Sequence, residues 1–383
     1  MNCLFKKRIK KYLISIAVLL ICVSIFANSS IFAQPVRIFA ESFVRPAAAF
    51  VLPKGNIKNE ENNAEIDQKT TEIEEKTPNS DEKIPENAEK NTENNKNQAQ
   101  STTSKSSDSN ATALVNGEEK GGRVISQTID KSGATASFGD VYIKNQTEKT
   151  VSIKEALSNK PSLKLKLNSD EPQVLIVHTH ATESFFPSVV EYYPKSWGER
   201  DNNTQNNMIA VGKVIAQKLN KAGIKTVQSE TLHDKDAYTG SYDRSRETIK
   251  SYLTKYPSIK VVIDVHRDAI NQTDGDKIRP IVNVKGKTAG QIMIISGCQS
   301  GAITGYPNWQ KNLRFSVGLQ QKLEQTYPSL ARPLFFAEKK YNQDLCENSF
   351  LLECGSQANT LDEAKYSAEL FSNVFVSYLK SFS

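Results

Sequence analysis

Apolar positions are distributed unevenly along this chain. A near-continuous apolar run covers residues 12–27, pauses at Asn28, Ser29 and Ser30, and resumes over 31–33. Lys6, Lys7, Arg8, Lys10 and Lys11 precede it. Residues 12–33 together reach the ~20 residues that a bilayer span requires. Neither 25–27 nor 31–33 matches a small-residue cleavage site, so the segment reads as a signal-anchor helix rather than a cleaved signal. The basic flank keeps the N-terminus cytoplasmic. Residues 1–40 are thus expected to be a cytoplasmic tail and a single membrane-spanning helix, with everything after them extracytoplasmic.

The next stretch, 41–122, loses the apolar signal. Asn, Glu, Lys, Ser and Thr dominate, and no Phe, Tyr or Trp occurs between Phe50 and Phe138. Too little apolar surface is present to offset the ordering entropy, so this region is expected to be a disordered linker.

From residue 123 to 383 the pattern is that of a folded domain. Continuous apolar runs at 173–177, 259–265 and 290–296 predict strands buried on both faces. Shorter runs predict strands at 224–227, 333–336 and 349–352. Helical spacing marks 207–219, where Ile209, Val211, Val214, Ile215 and Leu219 recur on one side, with Gly223 as its stop. Helices are also expected at 244–255, 308–327 and 361–380. A short one is expected at 152–158, inside a lead-in running from 141 to 167. Strands alternating with helices predict an α/β domain built on a mainly parallel sheet with helices on both faces. Ligands of such sheets bind at the carboxyl ends of strands.

Composition narrows the options. Apolar residues make up 38% of the 383, and the polar linker accounts for the deficit. The net charge of +6 comes from 49 basic and 43 acidic residues without a basic stripe, which argues against nucleic acid as partner. A single long apolar run excludes a multi-span membrane protein. Five cysteines form no complete disulfide framework. Cys3 and Cys22 belong to the anchor region, where Ile21 is too bulky for a lipoprotein box. Cys298, Cys346 and Cys354 lie in the domain, and Cys346 and Cys354 read as two separate thiols.

The chain has four histidines, and His178, His180 and His266 each follow an apolar strand directly. The segment H-T-H-A-T-E at 178–183 places His180 and Glu183 on one turn, and His266 can add a ligand from a neighbouring strand. Two histidines and a carboxylate with an open position form a hydrolytic zinc set. His180 is the preferred ligand because it completes H-x-x-E with Glu183, which leaves His178 outside the set. His178 is read with Arg267 as a substrate-positioning or supporting residue. His233 sits in a polar loop and reads as solvated. Glu353 emerges from an apolar strand, where a carboxylate is expensive without work or a partner, and is the candidate general base. Cys354 lacks a basic partner nearby, and Ser184 and Ser356 lack a nucleophile elbow.

These segments together resemble the stage II sporulation protein P family of membrane-anchored cell-wall hydrolases. The stretches that carry the resemblance are 174–185, 207–212, 262–268 and 352–356, followed by Asn359, Thr360, Glu363 and Ala364. The resemblance implies an N-acetylmuramoyl-L-alanine amidase that also cleaves peptide cross-links of peptidoglycan and acts at the sporulation septum in wall thinning and engulfment. It implies stage II sporulation proteins D and M as partners, and a fold similar to the family 3 zinc amidases. Those amidases place a ligand Glu at the start of the helix after the first histidine. Here 203–207 holds no acidic residue, so Glu183 substitutes, or Glu199 or Asp201 reaches in. The competing expectation is a non-catalytic wall-binding or scaffold protein that keeps the fold.

Overall fold

The computed structural model describes residues 118–383. The expected anchor, most of the linker, Cys3 and Cys22 lie outside the described residues. Among those described, no helix is long and apolar enough to cross a membrane.

The strands are β1 (Lys120–Gln127), β2 (Ala136–Phe138), β3 (Val141–Gln146), β4 (Val174–Val177), β5 (Tyr192–Pro194), β6 (Thr226–Gln228), β7 (Val261–Asp268), β8 (Lys277–Val284), β9 (Lys287–Gly290), β10 (Ile292–Gly297), β11 (Leu334–Ala337) and β12 (Phe350–Ser356). The helices are α1 (Ile153–Ser158), α2 (Met208–Lys221), α3 (Ser241–Lys255), α4 (Trp309–Thr326) and α5 (Leu361–Lys380).

The main sheet has eight strands in the order β2-β3-β11-β10-β12-β7-β4-β6. β12, β7, β4 and β6 are mutually parallel. β10 turns against β12, and β11 and β3 run with β10. The sheet is therefore mixed, which corrects the expectation of a mainly parallel one. The cause is the path after β11: the chain returns across β10 and enters β12 from the opposite end. A strand buried on both faces reads as the same apolar run in either direction, so its sequence carries no sign of this reversal.

A second, four-stranded sheet in the order β5-β1-β8-β9 lies outside the sequence expectation. β1 pairs parallel to β8 and antiparallel to β5. Arg123 ties the two longer strands together, its backbone N–H donating to Asp276 Oδ1 at 2.7 Å and its Nε to Oδ2 at 2.8 Å. β8 and β9 form a hairpin whose two turn residues, Lys285 and Gly286, both have positive φ (53° and 78°), as a tight primed turn requires.

Alternation along the strands separates two cores. Val174, Ile176, Val261, Ile263 and Val265 face the large cluster filled from α2, α4 and α5. Leu175, Val177 and Val262 face the other way and pack on Ile249 of α3. α5 opens with a full capping box between Thr360 and Glu363, and its Phe371 and Phe375 rings stack 5.1 Å apart in the larger core.

Candidate functional site

The side chains that matter stand on the α3 face. Val262 already faces α3, so the two-residue strand period puts Asp264 and His266 there too. Leu351 packs with Tyr242 at the start of α3, which places Glu353 on the same side of β12. Glu353 is the direct neighbour of His266 across the parallel β12–β7 pair.

His180 arrives by a different route, from the loop after β4. Asp264 pins that loop. Its Oδ1 accepts the Thr179 backbone N–H at 2.9 Å, and its Oδ2 accepts the Thr179 hydroxyl at 2.6 Å. Asp234 holds the following turn through the backbone N–H and hydroxyl of Thr182 at 3.0 and 2.7 Å, and is itself paired with Arg200. The His180 ring then stacks on Tyr238, with centroids 4.3 Å apart and planes 9° from parallel. It meets His266 edge-on at 5.4 Å. Glu183 Oε2 lies 4.0 Å from His266 Nδ1. The structure thus brings together His180, Glu183, His266 and Glu353 from three separate parts of the chain.

Glu199 and Asp201 are engaged elsewhere. Glu199 accepts from Lys277 Nζ at 2.6 Å, while Asp201 binds the backbone of Asn203 and the side chain of Asn206.

The remaining sequence candidates occupy different places. His178 is fully buried on the opposite face of the sheet, beneath α2, with Nδ1 2.9 Å from the Val265 carbonyl and Nε2 3.0 Å from the Gln228 amide. It cannot position substrate beside His180: it continues the α2-facing series of Val174 and Ile176, whereas the strand ends at Val177 and the loop that follows carries His180 to the other side. Arg267 is also buried. Its Nε donates to the Ser184 carbonyl at 2.6 Å and its Nη2 to the Glu199 carbonyl at 2.9 Å, so it clamps the 184–199 loop instead of facing an open cleft. His233 is not solvated. It is buried and joins the His178 carbonyl (2.8 Å) to the Thr248 hydroxyl (2.9 Å), stitching the polar loop onto α3. Cys298, Cys346 and Cys354 are free thiols.

Burial dominates the electrostatics. It drives the His180 imidazole down to about 2, with the neighbouring His266 reinforcing it, so His180 is neutral. Burial opposes charge on His266 as well, but Asp264, Glu183 and Glu353 outweigh it and raise that imidazole to about 9. Nε2 of His266 lies 2.9 Å from Asp264 Oδ1, close enough for an ion pair but not aligned as a hydrogen bond. Burial and then the Asp268 carboxylate push Glu353 well above the usual carboxylate range. Asp268 is itself held by Arg332 Nη1 at 2.8 Å.

One observation sets this place apart. Among the described residues ten buried side-chain polar atoms lack a hydrogen-bond partner, and five of them are here: both His180 nitrogens, Glu353 Oε2, the Tyr242 hydroxyl and His266 Nε2, of which only the last already faces a charge, that of Asp264. Buried polar groups are ordinarily paired, and an orphan costs ~1–3 kcal/mol. A concentration of orphans is the signature of a site whose occupant supplies the missing partners. No three His, Cys, Asp or Glu side chains among the described residues already converge as a metal cage. The donor set nonetheless suits a divalent ion: a neutral imidazole with both nitrogens unpaired, a second imidazole backed by a carboxylate, and an adjacent Glu.

Asp264, Tyr238 and Tyr242 were not singled out by the sequence. Asp264 had a usable signal, an acid inside an apolar strand two residues before His266. The tyrosines had none, since only the placement of α3 over the strand ends brings them in.

Comparison with known proteins adds the following. The family model for Stage II sporulation protein P matches residues 40–376. A curated relative, Stage II sporulation protein P of Bacillus subtilis (strain 168), is 29% identical over 221 residues, which cover 54% of this chain and 51% of the relative. The match therefore spans about half the length of that relative. Solved structures similar to this chain include the N-acetylmuramoyl-L-alanine amidase AmiC2 of Nostoc punctiforme, at 13% identity and a TM-score of 0.31, covering 56% of this chain and 98% of that one. Another is the N-acetylmuramoyl-L-alanine amidase from Clostridium difficile 630, at 18% identity and a TM-score of 0.30, covering 56% and 100%.

Proposed function

From the premise that this chain belongs to the stage II sporulation protein P family, we propose that it is a zinc-dependent peptidoglycan hydrolase. It cleaves the amide between the lactyl group of muramic acid and L-alanine, and peptide cross-links as well. The observation that carries this reading is the cluster of unpaired buried polar atoms on His180 and Glu353, next to His266.

His180, Glu183 and His266 would hold the ion. Zinc, when bound, supplies Lewis acidity toward a carbonyl and toward water. The rest falls to the chain's own side chains. Asp264 lies 2.9 Å from His266 Nε2 and attracts that side of the ring, which leaves Nδ1 on the side of Glu183. Glu353 takes the proton of the attacking water and later delivers it to the departing amine. Burial raises the proton affinity of its carboxylate, so the ionised form holds the water's proton firmly through the step. Tyr238 and the start of α3 cover His180 and keep bulk water from the reacting bond.

The expected setting is the outer face of the cell membrane at the sporulation septum, with residues 1–40 as the anchor and stage II sporulation proteins D and M as partners. A non-catalytic wall-binding role is the competing reading, favoured by the absence of a ready-made metal cage among the described residues.

Zinc content and mass analysis of fragments released from purified peptidoglycan separate the two. The wild type should bind one zinc and release free stem peptides. His266→Ala should lose both metal and activity. Glu353→Gln should keep zinc and lose ~10²–10⁴-fold in turnover, the usual worth of a positioned acid or base. Metal retained at full occupancy in His266→Ala removes His266 from the ligand set. Zinc lost from Glu353→Gln would make Glu353 a ligand instead of the base. A wild type that binds peptidoglycan without cleaving it supports the wall-binding role.

A further inference from the structure

The Tyr242 side chain belongs to no hydrogen-bond pair, yet its hydroxyl is buried. Its ring is held firmly. The plane lies 16° from that of His266 at 6.4 Å, meets His180 edge-on at 5.7 Å, and is backed by Tyr341 at 6.1 Å. The backbone is fixed as well, since the Tyr242 carbonyl accepts from Asn342 Nδ2 at 2.9 Å and from the Ser245 hydroxyl at 3.2 Å. A phenol packed against both candidate metal-binding imidazoles, with an unspent donor, is placed to meet a group that enters with substrate.

We propose that Tyr242 is a catalytic residue of the reaction proposed above: its O–H donates a hydrogen bond to the oxygen that turns negative as the scissile amide is attacked. This rests on the hydrolase reading. In the step, the oxygen of water bonds to the carbonyl carbon and its proton passes to Glu353. The carbonyl π pair moves onto oxygen, where the Tyr242 hydroxyl hydrogen-bonds it without giving up its proton. Collapse restores the carbonyl and breaks the C–N bond, and Glu353 returns the proton to the leaving nitrogen. The products are a carboxylic acid and an amine.

A phenol that bonds only the developing oxyanion contributes to the chemical step and not to ground-state binding. The test compares full-length wild type and Tyr242→Phe on a soluble disaccharide-peptide prepared from peptidoglycan. Phe keeps the ring contacts and removes only the hydroxyl. The expected result is a ~10²–10³-fold fall in kcat, typical for loss of one oxyanion donor, with KM and zinc content unchanged. The melting temperature should hold or rise, because an unpaired buried hydroxyl is removed. Wild-type cleavage with undiminished kcat in Tyr242→Phe overturns the role of the hydroxyl alone. A rise in KM at constant kcat also overturns it, since it would show ground-state binding. Absence of cleavage by the wild type overturns the hydrolase reading, and this inference with it.

Discussion

His178 and His180 stand two residues apart and serve opposite faces of one sheet. His180 emerges from the loop onto the α3 side, unpaired and neutral. His178 is packed under α2 with both nitrogens engaged. Burial drives the His178 imidazole from 6.5 down to about 4, so the folded protein excludes the proton. The unfolded chain accepts that proton below 6.5. Its contribution to stability is therefore complete above 6.5 and declines as pH falls from 6.5 toward about 4. Urea unfolding across that range should show stability falling with acidity, and His178→Gln should flatten the slope while lowering stability at neutral pH. An unchanged slope in the variant would assign the acid sensitivity to other groups.

Among the elements, α2 shows how local sequence and tertiary contact meet. Asn207 caps it, accepting from the Ile209 backbone N–H at 3.0 Å, and its apolar residues recur at helical spacing. Its glycine has a tertiary cause. A Cβ at Gly212 would come within 2.5 Å of the His178 ring. Helix propensity favours alanine over glycine by ~1 kcal/mol. The overlap should reverse that sign, since overpacking costs about 1–3 kcal/mol. Gly212→Ala is thus expected to melt below the wild type by differential scanning calorimetry. A higher melting point would mean the His178 ring yields freely and the tight approach is incidental.

At the scale of the whole molecule, the second sheet has the largest consequence. β1 lies inside it, flanked by β5 and β8. Just beyond, the Ile129 backbone N–H donates to Gln291 Oε1 at 2.7 Å, tying this segment to the run into β10. A chain that starts at residue 130 would leave β8 and β5 with open edges, a recognised route to aggregation. It should be largely insoluble or unfold in two steps, whereas a chain starting at 118 should unfold in one. Equal solubility and a single shared transition would show that β1 is dispensable. The boundary at 123 drawn from polarity alone falls inside β1, because K-G-G-R resembles the linker until Asp276 and β8 are in place.

What this sequence determined by itself was each of the five α-helices of the described domain and the six strands at 174–177, 226–228, 261–268, 292–297, 334–337 and 350–356, to within a few residues. These elements are long or strongly apolar, so periodicity alone identifies them. It also pointed to His180, His266 and Glu353, as polar side chains at or just past buried strands, and to Glu183 by its H-x-x-E spacing from His180. The tertiary structure decided the rest. β1, β5, β8 and β9 are short or polar and become strands only by pairing with one another. The antiparallel join of β10 and β12 depends on where the chain re-enters the sheet, which an apolar run does not encode. His178, Arg267 and His233 owe their supporting roles to which face each side chain meets. Tyr242 entered the site only because α3 lies across the strand ends, a packing outcome written in no local pattern.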